Sequence, residues 1–153
     1  MADRQARERQ RQALGERLRD ARDAEALLAA GADELHAALT AVCDELSAGL
    51  TPARARSPVR VARWAYSLWV WFGGQPILTL DYEAIRDPDL PGVLARCRAR
   101  GDSADPPATL TLVRTGPASA EWRSGLQTPV LREFCLGLLD RAVDERFGRD
   151  GQS

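Results

Sequence analysis

A chain of 153 residues has room for one domain with a sizeable core, and 44% hydrophobic with 28% charged residues is a globular composition. The formal net charge of −1 excludes a global electrostatic drive toward nucleic acid or membrane. No apolar run reaches the roughly 18 residues of a membrane span, and the opening MADRQARERQRQ lacks the apolar core of a secretory signal. The expectation is therefore a cytoplasmic protein without membrane association.

Residues 1–50 read as a helical region. Ala, Arg, Glu, Gln and Leu dominate it, and no proline occurs before Pro52. Leu14, Leu18, Ala21, Glu25, Leu28, Ala32, Leu35, Leu39, Val42 and Leu46 recur at steps of four and three, a heptad seam with Glu25 as its polar interruption. "AGADEL" offers a helix stop at Gly31 and an N-cap at Asp33. One long helix and a helical hairpin both remain open. Residues 1–22 carry seven Arg against four acids, and residues 23–50 carry six acids and no Arg. A hairpin would bring Arg17 and Arg19 near Glu45 and Asp44.

"TPARARSP", residues 51–58, is a linker, because two prolines among small residues end the helical region. An α+β domain follows over residues 59–148, with a flexible tail at 149–153. Val59 to Phe72 is rich in β-branched and aromatic residues and reads as one strand, with a second from Pro76 to Tyr82. A three-residue Gly73-Gly74-Gln75 loop sets Val70 opposite Leu78 and Leu68 opposite Leu80. That register sends Trp64, Tyr66 and Tyr82 to a core face. It leaves Trp69, Trp71 and Ile77 as a second apolar patch on the opposite face.

Val93–Arg100 reads as a short helix between two loops. "TLTLVR" at 109–114 and "SAEWRS" at 119–124 read as strands. Pro129–Phe147 carries a wide apolar stripe of Val130, Leu131, Phe134, Cys135, Leu138, Leu139, Ala142 and Val143, with Pro129 suited to the first turn and Gly148 to the end. The fold class is α+β: an N-terminal helical region, an antiparallel sheet of about four strands, and a C-terminal amphipathic helix on one sheet face.

The chemistry-bearing residues are sparse. His36 is the single histidine, in the acidic part of the helical region, and Cys43 is two helical turns from it. Cys43, Cys97 and Cys135 are too widely spaced for a disulfide framework or zinc motif and read as buried reduced thiols. Gly73-Gly74 is followed by no lysine, which excludes a phosphate-binding loop of the P-loop kind. Asp81 and Glu83 share a strand face and, with Asp87 and Asp89, offer a metal-dependent enzyme as a third reading. All 21 basic residues are Arg, Lys and Asn are absent, and Ile occurs only at 77 and 85. This is codon bias of a GC-rich, bacterial genome, so Arg carries no message of guanidinium over ammonium.

Arg54, Arg56, Arg60 and Arg63 supply the phosphate-contacting charges for a nucleic-acid-binding regulator, the second reading. The leading reading is a non-enzymatic protein-interaction module with no cofactor. It is a homodimeric adaptor, chaperone-like or regulatory accessory protein of a bacterium. Its interfaces are the helical seam at Leu28, Leu35, Leu39, Val42 and Leu46 and the patch at Trp69, Trp71 and Ile77, since tryptophan is enriched among buried interface anchors.

Overall fold

The computed structural model describes residues 2–50, 59–101 and 108–148. The linker at 51–58, with Arg54 and Arg56, and the tail at 149–153 lie outside the described residues. The architecture is α+β: a long N-terminal helix, a six-stranded antiparallel sheet curled into a half-barrel, and a C-terminal helix packed against the sheet.

Helix α1 (Ala2–Leu50) is continuous. Gly31 does not stop it, because the glycine serves close packing. A Cβ at Gly31 would lie 2.9 Å from Leu112 Cδ2 and 3.1 Å from Leu112 Cδ1. The Trp122 indole N–H also donates to the Gly31 carbonyl at 2.9 Å. The hairpin alternative is thereby removed, along with its pairing of Arg17 and Arg19 to Glu45 and Asp44. The acidic half of α1 finds other partners: Asp33 with Arg63 at 2.7 Å, Glu45 with Arg132 at 2.6 Å and Glu25 with Arg86 at 3.9 Å. These pairs are exposed, and each contributes only a few tenths of a kcal/mol.

The seam divides along the helix. From Ala24 onward α1 lies on the sheet, with Ala32, Leu35, Leu39, Val42 and Cys43 buried and Leu28 and Leu46 packed at the margin. The Ser47 hydroxyl, also buried, donates to the Val59 carbonyl at 3.1 Å. Before Ala24 the helix leaves the core: residues 2–23 are exposed except for Gly15, and Asp20 reaches Arg114 at 2.9 Å. By length and composition a stretch of α1 is apolar enough to cross a membrane, against the sequence expectation. The Ala-rich background raises its mean hydropathy, and Leu35, Leu39 and Val42 within α1 are core residues here.

The sheet is a simple meander, β1 (Val59–Trp64), β2 (Ser67–Phe72), β3 (Gln75–Ala84), β4 (Val93–Arg100), β5 (Ala108–Gly116) and β6 (Ser119–Arg123), each paired to the next. Six strands replace the expected four or so for two reasons. First, the Val59–Phe72 run turns back on itself at Ala65-Tyr66, with Ala65 at φ 46° and Trp64 opposite Ser67. Second, Val93–Arg100 is a strand. Its alternation places Ala95, Cys97 and Ala99 in the core and leaves Arg96, Arg98 and Arg100 outside, a period of two that the helix-forming character of Ala, Leu and Arg disguises.

The β2–β3 register is reached by a different route from the expected one. Gly73 and Gly74 form a two-residue turn with φ of 58° and 85°, a conformation glycine adopts without steric cost. Phe72 then faces Gln75 and Trp71 faces Pro76. A β-bulge follows, and Val70 faces Leu78 and Leu68 faces Leu80 as the alternation requires. The extra residue is Ile77, which is buried in the core, so it leaves the expected outer patch.

The inner sheet face and the helices enclose one core of Leu68, Val70, Leu80, Leu110, Leu112 and Trp122 with the inward side of α1 and α2. Helix α2 (Leu131–Phe147) buries Cys135, Leu138, Leu139 and Ala142, while Val130 and Val143 of the expected stripe are exposed. Phe147 closes the far end edge-to-face on Phe72 at 5.5 Å, and the helix stops at Gly148, whose N–H donates to the Asp144 carbonyl.

Candidate functional site

Among the described residues this packing leaves two surfaces open. The first is the projecting arm of α1, residues 2–23, together with the groove at its base. Leu14 is 54% and Leu18 64% exposed on the arm. The same ridge runs through Ala21, Ala24 and Leu28 into a groove of about 300 Å³, whose far wall is Ile85, Leu90, Pro91 and Leu94. Its rim carries the ion pairs Asp20–Arg114, at 2.9 Å, and Glu25–Arg86.

The second is the outer face of the sheet, which no described element covers. Strand alternation places three lanes side by side. On β2, Trp69 and Trp71 are half-buried and stacked, ring centroids 6.4 Å apart at 29°. The Trp69 indole N–H donates to Ser67 Oγ at 2.9 Å, which fixes that ring. On β3 come Thr79, Asp81 and Glu83, and on β4 Arg100, Arg98 and Arg96. The register sets Trp69 opposite Thr79 and Thr79 opposite Arg100, with Asp81 against Arg98 and Glu83 against Arg96. A depression of about 300 Å³ opens in the first row, lined by Trp69, Thr79, Asp81 and Arg100 among others. Of the three β4 arginines, Arg100 approaches a described carboxylate, Asp81 at 4.0 Å. Among the described residues, Arg60, Arg96 and Arg98 have no carboxylate within ion-pair distance.

The expected site residues are scattered by the fold. Leu35, Leu39 and Val42 are consumed by this chain's own core, so their surface is not offered to a partner; Leu28 and Leu46 are half-buried at its edge. Trp69 and Trp71 are on the open face as expected, without Ile77. Trp64 and Tyr66 are 77% and 65% exposed, a correction to their core assignment, because both stand at the β1–β2 tip. Tyr82 does enter the core, where its hydroxyl donates to the Ala65 carbonyl at 2.9 Å and its ring meets Tyr66 edge-to-face at 5.8 Å. Of the basic run, Arg60 lies on the outer face opposite Trp71, whereas Arg63 reaches the other way to Asp33. The β4 arginines are masked in the sequence because that segment reads as helix; the two-residue alternation of Ala95, Cys97 and Ala99 with arginine is the signal that reveals them.

Cys43, Cys97 and Cys135 come from three elements into the same core. Burial pushes the Cys43 thiol up to about 11 and those of Cys97 and Cys135 up to about 12, away from the thiolate form that nucleophilic or metal chemistry requires. Among the described residues no group of three or more His, Cys, Asp or Glu is placed to hold a metal ion. Asp81 and Glu83 face arginines across the β3–β4 ladder instead. No protein-family model, curated protein or solved structure matches the chain.

Proposed function

We propose that this protein is a non-enzymatic protein-interaction module that pairs with a second copy through the α1 arm, as an adaptor, chaperone-like or regulatory accessory protein of a bacterium. The observation that carries this reading is the arm itself, an uncovered helical segment with Leu14 and Leu18 exposed on one stripe. In proteins most helical stability comes from packing of an apolar face, and a second copy supplies that packing to the arm.

Charge selects the orientation. Continuing the seam backward from Leu14 meets Arg11, Arg7 and Arg4. Parallel arms would stack these arginines against their own copies. Antiparallel arms with Leu14 opposite Leu18 of the second copy set Arg7 opposite Glu25 and Arg4 opposite Leu28. The basic tip of one arm then crosses the groove of the other, where arginine stems cover apolar surface while their heads remain in water. Three free cysteines with no disulfide among them suit a protein held in a reducing, cytoplasmic compartment.

Size-exclusion chromatography with light scattering tests the reading. The expected result is a particle of twice the 16.8 kDa chain mass, converted to a monomer by Leu14→Glu with Leu18→Glu while the thermal transition of the sheet is retained. A wild-type chain that remains monomeric at about 100 μM, where even a micromolar complex is saturated, defeats it.

A further inference from the structure

We propose that the outer face of the sheet is a binding site for single-stranded nucleic acid, with bases on the Trp69–Trp71 side and phosphates along Arg96, Arg98 and Arg100. The inference is independent of how the arms pair. It starts from an imbalance: among the described residues, half-buried Arg96 and exposed Arg98 have no carboxylate within ion-pair distance, on a face that ends in a stacked pair of half-exposed indoles. Alternate residues on a strand are about 7 Å apart, so the three arginines form an evenly spaced cationic rail. Such a rail tracks a phosphate backbone, and aromatic faces beside it take successive bases whatever their identity.

The lane between them supplies polarity. Neighbouring strands are about 4.8 Å apart, so Trp69 and Arg100 stand about 10 Å from one another across Thr79, and their side chains shorten that gap from both sides. The depression between them has Trp69 on one wall, Arg100 on the other and Asp81 at its rim. A nucleotide placed there sets its base on the indole and its phosphate on the guanidinium. Asp81 repels phosphate from the middle lane, which keeps the backbone on β4. Its carboxylate accepts hydrogen bonds from an exocyclic amino group, which thymine and uracil lack. The site therefore takes amino-bearing bases in preference. A duplex is excluded because its bases present no free face to the indoles.

The experiment titrates the full chain with fluorescein-labelled 12-nucleotide dA, dC and dT strands and their RNA counterparts at about 50 mM salt, where phosphate contacts are strong. Anisotropy reports binding, and quenching of intrinsic tryptophan fluorescence reports stacking. The expected result is binding with quenching, tighter for dA and dC than for dT. Arg96→Ala with Arg98→Ala should lower affinity at least tenfold and reduce the salt slope by about 1.4, at about 0.7 per phosphate on a single strand. Trp69→Ala should lower affinity about tenfold with the slope unchanged, and Arg98→Gln provides a milder variant whose fold is checked by circular dichroism. The proposal is overturned if no strand binds, or if a duplex or an acidic peptide binds equally well. It also falls if binding survives the sheet variants but is lost in Arg7→Ala with Arg9→Ala, which would place the contacts on the arm.

Discussion

Replacing Gly31 by alanine should destabilise the protein, although the same change in most helices does the reverse. In an exposed helix interior alanine is better than glycine by about 1 kcal/mol. At Gly31 the new methyl would meet the Leu112 methyls at 2.9 and 3.1 Å, well inside the roughly 3.5–4.0 Å optimum for carbon pairs. Leu112 is 1% exposed between sheet and helix, so its methyls give way only by repacking the surrounding core. Overpacking of this kind costs about 1–3 kcal/mol, and displacing α1 also strains the hydrogen bond from Trp122 to the Gly31 carbonyl. The net expectation is a loss of about 1–2 kcal/mol, a fall in Tm of about 5 °C for a domain of this size. Urea denaturation followed by tryptophan fluorescence measures it. Gly15→Ala is the internal control, since nothing lies within 4 Å of its Cβ position, and it should raise helicity. A Gly31→Ala chain as stable as wild type would refute the close approach of α1 to β5 and β6.

Trp122→Phe should cost about 1 kcal/mol in the same urea assay, because it removes the buried hydrogen bond from the indole to the Gly31 carbonyl. The thiols set an alkaline limit. Their folded values are raised above 9.0 by burial, so the stability they confer is complete below about pH 9 and is lost between pH 9 and about 12. Each thiol contributes up to about 1.4 kcal/mol per pH unit in that window. Melts between pH 8 and 11 should show a plateau and then a decline. Rapid labelling of the folded protein by a disulfide reagent at pH 8 would contradict the burial of all three.

The legible parts of the fold are those where pattern and context agree. Leu138, Leu139 and Ala142 announce α2, and the alternation of Leu78, Leu80 and Tyr82 announces β3. The core registers of Leu68 with Leu80 and of Val70 with Leu78 follow from burying one face, whatever the turn does. What escaped was local. Gly31 has the appearance of a helix stop, and only the position of Leu112 and Trp122 reveals that it is a point of contact. Ile77 changes sides because a two-residue glycine turn needs a bulge to restore the register. Trp64 and Tyr66 are apolar enough for a core but fall at a reversal that Ala65 enters with a positive φ. In β4 a chain rich in Ala and Arg forms a strand from helix-forming residues, and the cationic rail is hidden with it.

The uninterrupted course of α1 makes the arm a ruler. Its 22 residues before Ala24 extend about 33 Å at 1.5 Å per residue, and Gly31, where the same helix lies on the sheet, is clamped rather than hinged. Whatever the tip grips is therefore held at a fixed distance and bearing from the sheet. One residue inserted before Ala24 would lengthen the reach by only about 1.5 Å but swing the tip by about 100° around the axis. Spacing and orientation in any assembly built on this arm are thus set by counting residues.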